Sequence, residues 1–145
     1  MRPEKISVIK AVAEQFAELS TCSSRIKVGA VLFDKDFRIV ATGYNGVPQG
    51  SQHCDEIGCV YDAAGSCIAA VHAEVNAILQ CAMYGISTKG LYLYVTHSPC
   101  DRCAVVIARA GIRRVIYGEL YNKGTRMAEV FRYAKIQSWQ HKEKV

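Results

Sequence analysis

Two short stretches carry the residue types best suited to chemistry: His72-Ala73-Glu74 and Pro99-Cys100-Asp101-Arg102-Cys103. One imidazole and two thiolates make a set of three metal ligands. Three protein ligands suit a catalytic Zn²⁺, because the fourth tetrahedral position stays open for water, and a bound zinc ion brings the pKa of that water toward neutrality. Glu74 stands only two residues from His72, too close to be its natural partner ligand. It is better placed to face the water as a general acid/base. Cys100 and Cys103 are three apart, so one turn at a helix start puts both sulfurs on one side. The free N–H groups and dipole of that helix start favour the thiolate form, and Pro99 just before it is a common start signal. A Cys-x-x-Cys alone would serve equally as a redox pair, and a His-x-Glu alone arises by chance. Together, in this order and each opening an apolar helical run, they specify a zinc site.

The elements that must position these residues follow from periodicity. Ile6, Ile9, Val12, Ala13, Phe16 and Leu19 recur at three and four, which predicts an amphipathic helix over Glu4 to Leu19. Val28–Phe33 and Arg38–Gly43 read as strands joined by a turn at Asp34-Lys35-Asp36. Residues 46–66 show no period and read as a long loop; such loops are usually functional or tied by a metal. A helix from Ile68 to about Met83 is expected to carry His72 and Glu74 in its first turns. Strands at 91–96 and 114–117, a helix at 101–110 ended by Gly111, a helix at 125–134 and a short strand at 136–139 complete the prediction. Strands alternating with helices imply an α/β layered architecture with a parallel portion.

Composition bounds the rest. The chain has 145 residues, enough for one domain with a sizeable core, and it is 50% hydrophobic with charges spread throughout, so a globular domain spanning 1–145 is expected. No apolar run is long enough to span a bilayer, and Met1-Arg-Pro-Glu-Lys5 lacks the apolar stretch of a secretory signal, so a cytoplasmic location is expected. Seven cysteines in such a setting point to reduced thiols and metal rather than disulfides. The net charge of +5 suits a phosphorylated ligand without making a nucleic-acid footprint. The mixed-sign end, from His141 to Val145, reads as a solvated tail.

Over nearly its whole length the chain resembles the deoxycytidylate (dCMP) deaminases of the zinc-dependent cytidine deaminase-like superfamily. The residues are Val28-Gly-Ala30, Gly43-Tyr-Asn-Gly46, His72-Ala-Glu-Val-Asn-Ala-Ile78, Val95-Thr-His-Ser-Pro-Cys100 and Gly111-Ile112. The H-x-E and P-C-x-x-C pair marks the superfamily of nucleobase deaminases. The Gly43-Tyr-Asn-Gly-Val-Pro48 segment points to the dCMP branch, and the cysteine-bearing loop to its bacterial and phage members. The resemblance implies a three-layer α/β/α fold with a mixed sheet of about five strands. It also implies zinc-dependent hydrolytic deamination of dCMP to dUMP and ammonia, feeding dTMP synthesis, with Glu74 as the proton carrier. It places Asn45 against a sugar hydroxyl and the Ser98 carbonyl near the amino group. Arg25 and Lys27, before the first strand, and Tyr121 and Lys123, after the fourth, are candidates for the phosphate. It further implies a homohexamer activated by dCTP and inhibited by dTTP, with the effector near Gly43, Tyr44, Asn45 and Gly46.

Cys22, Cys54, Cys59, Cys67 and Cys81 are left after the catalytic pair, and Cys54, Cys59 and Cys67 lie in one loop with little else to hold it. Four thiolates suit a closed structural zinc site, with His53 as an alternative ligand, and phage relatives carry a second zinc in this region. Simple packing is the competing reading, since cysteine is among the most buried residue types, and it is the one adopted for Cys81. Two rival functions remain: a deaminase of another substrate (dCTP or a tRNA adenosine), and a non-catalytic zinc module that binds a partner. A purely structural site has no use for a carboxylate beside the metal, so Glu74 argues against the module.

Overall fold

The computed structural model describes residues 1–22, 26–121 and 126–143. Its elements run α1 (Lys5–Ala17), β1 (Gly29–Phe33), β2 (Ile39–Tyr44), α2 (Cys54–Ile57), α3 (Ala73–Tyr84), β3 (Tyr92–His97), α4 (Asp101–Arg109), β4 (Arg114–Glu119), α5 (Arg126–Tyr133) and β5 (Gln137–Gln140). The sheet order is β2-β1-β3-β4-β5. β1 is antiparallel to both β2 and β3, while β3, β4 and β5 are mutually parallel. The expected mixed five-stranded α/β sheet is what the chain forms.

Alternation along β1 explains the layers. All five of its residues are buried, because helices cover both faces of the sheet. Val31 and Phe33 pack with Ile9 and Ala13 of α1, together with Tyr94 and Ile116. Ala30 and Leu32 face the opposite side, where Ala77 and Cys81 of α3, Ala104 and Ile107 of α4 and Phe131 of α5 complete the larger core. Cys81, read as core, lies there fully buried.

Two contacts bring helices close to the sheet. A Cβ on Gly29 would collide with the Ala13 carbonyl of α1, and one on Gly43 with the Ala73 carbonyl of α3. Glycine at these places removes the side chain that would hold helix and strand apart.

One helix boundary differs from the prediction. α3 starts at Ala73 rather than Ile68, and His72 is its N-cap, in an extended conformation with ψ 150°. Val71 exchanges two backbone hydrogen bonds with Gly46, at 2.8 and 3.1 Å. That bridge commits backbone groups a helix would need, so the apolar run Ile68–Val71 is drawn out along the loop. The loop itself holds one four-residue helix, α2, and an isolated bridge between Tyr61 and Cys67. Among the described residues no helix is long and apolar enough to cross a membrane.

Candidate active site

Two helix starts converge at the open end of the sheet. His72 caps α3 and Cys100 caps α4, whose Sγ accepts from the Cys103 backbone N–H at 3.5 Å. His72 Nδ1 stands 3.6 Å from Cys100 Sγ and 3.3 Å from Cys103 Sγ. All three ligand atoms lie within 4.8 Å of one another. A tetrahedral zinc ion with Zn–S near 2.3 Å and Zn–N near 2.0–2.1 Å spaces its nitrogen and sulfur donors about 3.6 Å apart. The donor set and its spacing therefore fit the ion.

The electrostatics agree. The Cys103 thiol donates toward Cys100 and, with His72 and the Cys103 N–H, holds Cys100 down to about 3 against the effect of burial. Cys103 is pushed far up, because it is the donor of that shared proton and is itself buried beside Glu74.

Glu74, in the first turn of α3, is 4% exposed. Burial pushes its carboxyl above the usual carboxylate range. It lines a cavity with His72, Ala73, Cys100, Ile26, Val28, Asn45, His97, Ser98 and Tyr121. A carboxyl whose pKa burial raises, beside side chains that could hold a metal ion, is equipped to move protons.

Other predicted residues also hold the fold around the cavity. Asn45 is buried at the cavity; its Oδ1 accepts from Val28 N–H at 2.8 Å and its Nδ2 donates to the Ile26 carbonyl at 3.2 Å. It therefore clasps the strip 26–28 that forms one cavity wall. Ser98 is buried, and its Oγ accepts from Tyr121 N–H at 2.9 Å, which holds Tyr121 at the mouth. Lys27 does not line this cavity. Its ammonium stands 3.6 Å from Glu18, on the α1 side of the sheet, because the alternation that points Ile26 and Val28 inward points Lys27 away. Arg25 and Lys123 lie outside the described residues.

The Gly43-Tyr44-Asn45-Gly46 segment, expected to meet an effector, also makes contacts within the fold. Gly43 packs on α3, Gly46 N–H donates to Val71 O, and Asn76 Nδ2 donates to Tyr44 O at 2.7 Å and Val71 O at 3.2 Å. Asn76 and His97 were missed. Asn76 could have been found from its place four residues after His72 on the same helix face. His97 carried no spacing signal of its own.

The remaining cysteines also converge. Cys22, Cys54, Cys59 and Cys67 place all four sulfurs within 4.8 Å. Cys22–Cys59 and Cys54–Cys67 are each 3.8 Å apart, the sulfur spacing of a tetrahedral four-thiolate zinc site. Burial, with further contributions from Cys67, Cys59 and Cys22, pushes the Cys54 thiol up to about 12. Burial also works against the Cys67 thiolate, but backbone hydrogen bonds from Ala69, Ala70 and Val60 outweigh it and lower its pKa. His53 stands outside the group, with Nδ1 3.1 Å from Thr21 Oγ1.

Fold and site together define an α/β domain in which three side chains that could hold a metal ion stand beside a buried carboxyl. Residues 3–119 match the family described as cytidine and deoxycytidylate deaminase zinc-binding region. The chain belongs to that family. It is 43% identical over 117 residues to ComE operon protein 2 of Bacillus subtilis, covering 81% of this chain and 60% of that protein. It is 35% identical over 147 residues to the deoxycytidylate deaminase of Schizosaccharomyces pombe, covering 97% of this chain and 45% of the relative. The chain thus spans about half the length of these two curated relatives. The dCMP deaminase of cyanophage S-TIM5, solved with dCMP and dUMP, superposes with a TM-score of 0.81 at 34% identity, covering 97% of this chain and 99% of that one.

Proposed function

We propose that this chain hydrolyses dCMP to dUMP and ammonia. The observation that carries the reading is the buried Glu74 carboxyl in one cavity with His72 and Cys100, the cavity's two metal-ligand candidates. His72, Cys100 and Cys103 hold the metal. A zinc ion bound there supplies Lewis acidity that brings water to a nucleophilic state near neutral pH. Glu74 takes a proton from the attacking water and delivers it to the ring N3. It then takes the remaining proton from the oxygen added at C4 and carries it to the exocyclic nitrogen. The C4–O bond forms, the C4–N bond breaks, and the amine leaves as ammonia. Asn45 keeps the wall formed by Ile26 and Val28 in place, and Ser98 and Tyr121 close the mouth. The likeness to dCMP deaminases along the whole chain supports the substrate.

The reading extends to the chain's wider setting. A second, structural zinc binds the four-cysteine cluster, supported by the 3.8 Å sulfur spacings. The product feeds dTMP synthesis in the cytoplasm, and the chain works as a homohexamer under dCTP activation and dTTP inhibition, as the family resemblance implies.

Glu74→Gln tests the core of this. Turnover of dCMP, followed by ultraviolet absorbance, falls by about 10²-fold or more with zinc retained, the usual scale for losing a general acid/base. Unchanged turnover would remove Glu74 from the mechanism. Parallel assays on dCTP and deoxycytidine read the substrate class: equal rates on deoxycytidine would remove phosphate recognition.

A further inference from the structure

A second cleft, of about 390 Å³, lies on the α1 side of the sheet, and none of the metal-ligand candidates lines it. It is bounded by α1, by the ends of β3 and β4 and by the segment after β5. Tyr94 lies at its floor. The residue is fully buried, yet its hydroxyl finds no hydrogen-bond partner among the described residues. Gly118 keeps the space beside that hydroxyl open: a Cβ there would stand 2.9 Å from the Tyr94 hydroxyl and 2.8 Å from the Thr96 carbonyl oxygen. His141, whose backbone N–H donates to the Tyr117 carbonyl at 2.8 Å, also lines the cleft. Its Nε2 is a second buried atom with no partner among the described residues. Buried polar atoms are almost always paired, so two orphans at one cleft point to a ligand. A phenol oxygen and an imidazole nitrogen can both accept, so that ligand brings donors.

The charges around the cleft give the ligand's sign. Lys10 Nζ stands 2.9 Å from Glu143 and 3.7 Å from Glu14, and Lys27 Nζ stands 3.6 Å from Glu18. Glu119 joins the same rim, 3.6 Å from the His97 ring. Four carboxylates thus meet two ammonium groups, which leaves two negative charges with the imidazoles neutral. Three of the carboxylates close around the phenol. Burial pushes Tyr94 up to about 12, and Glu14, Glu143 and Glu119 add to the shift. The hydroxyl therefore keeps its proton at neutral pH, and its lone pairs remain for a donor.

A compact metal ion matches this arrangement poorly. Among the described residues, no three carboxylate or imidazole donors of this cleft come within 4.8 Å of one another. An elongated dication matches it well, because separate carboxylates can take up its two charges. We propose that the cleft is a binding site for an aliphatic diamine, with one ammonium group reaching in to the Tyr94 hydroxyl and His141 Nε2 and the other held at the rim by Glu14 and Glu119. The site stands apart from the dCMP reading, which uses the other cavity; among the described residues, His97 alone lines both.

The test titrates 1,4-diaminobutane into the full chain by calorimetry, at low and at high salt, beside butylamine and Mg²⁺. The diamine binds one per chain, and its affinity falls as salt screens the rim carboxylates. Butylamine, with a single charge, and Mg²⁺ bind more weakly. Tyr94→Phe removes a hydroxyl that has no partner to lose among the described residues, so the free protein unfolds at or above the wild-type temperature. Its affinity for the diamine drops about 10- to 100-fold, the cost of losing a hydrogen bond to a charged group. Glu14→Gln, at the exposed rim, weakens binding about 2- to 5-fold. An absence of saturable binding at millimolar diamine overturns the assignment. So does butylamine or Mg²⁺ binding as tightly as the diamine, or wild-type affinity in either variant.

Discussion

Gly43→Ala should damage the enzyme with no nucleotide present. The new Cβ would overlap the Ala73 carbonyl oxygen and sit 2.6 Å from Ala77 N and 3.1 Å from Ala77 Cβ. Two of the three obstructing atoms are backbone of α3, so no rotamer change relieves them. Ordinary contact requires the first turns of α3 to retreat from β2 by about 1 Å, an overpacking that costs about 2–3 kcal/mol in a close-packed interior. For a domain of this size that lowers Tm by about 5–10 °C. The same retreat moves His72 and Glu74, which lie at that end of the helix, and a displacement of about 1 Å at a reacting group costs on the order of 10²-fold in rate. Thermal unfolding, zinc content and dCMP turnover measured without effectors read all three consequences. Gly46→Ala is the control, because its Cβ would meet only the Tyr44 ring, at 2.9 Å, which can swing aside. If Gly43→Ala unfolds at the wild-type temperature and turns over at the wild-type rate, the close approach of α3 is wrong. If it is stable and active but has lost nucleotide control, the glycine serves an effector after all.

Two further outcomes follow from other contacts. Cys54→Ser should lower zinc content from about two ions per chain to about one and reduce thermal stability while dCMP turnover persists in the folded fraction; a wild-type ratio near one would end the second-site reading. Asn45→Ala leaves Val28 N–H and the Ile26 carbonyl without their partner. Denaturant unfolding should show a loss of about 2 kcal/mol or more in the absence of substrate, and an unchanged midpoint with a raised KM would return Asn45 to a pure sugar contact.

The site was legible where chemistry is written into local spacing. His72, Glu74, Cys100 and Cys103 stand out because two-residue and three-residue intervals carry the ligand geometry. The four outlying cysteines stand out because a loop without periodicity needs something to hold it. The strand order was hidden, since β1 inserts between β2 and β3 through contacts far apart in sequence. The start of α3 was hidden for a related reason: Ile68–Val71 has the composition of a helix, and only the bridge to Gly46 keeps it extended. Lys27 shows the limit of reading charge by position. Its neighbours Ile26 and Val28 line the cavity, yet alternation sends the ammonium through to the other face. His97 was not legible as a cavity residue because the contacts that hold it there come from Thr96, Glu119 and Tyr121.

The loop between Gly46 and His72 brings its own fastening. Its thiols gather near its base, with Cys22 reaching in from the preceding segment, while Gly58 and Gly65 sit on its outer turns with nothing within 4 Å of where a side chain would go. Lengthening a loop whose ends are already fixed costs little chain entropy. Those outer turns are therefore natural points for insertion, where a peptide tag or a recognition segment can be grafted while His72, five residues past Cys67, stays in register with the reaction centre.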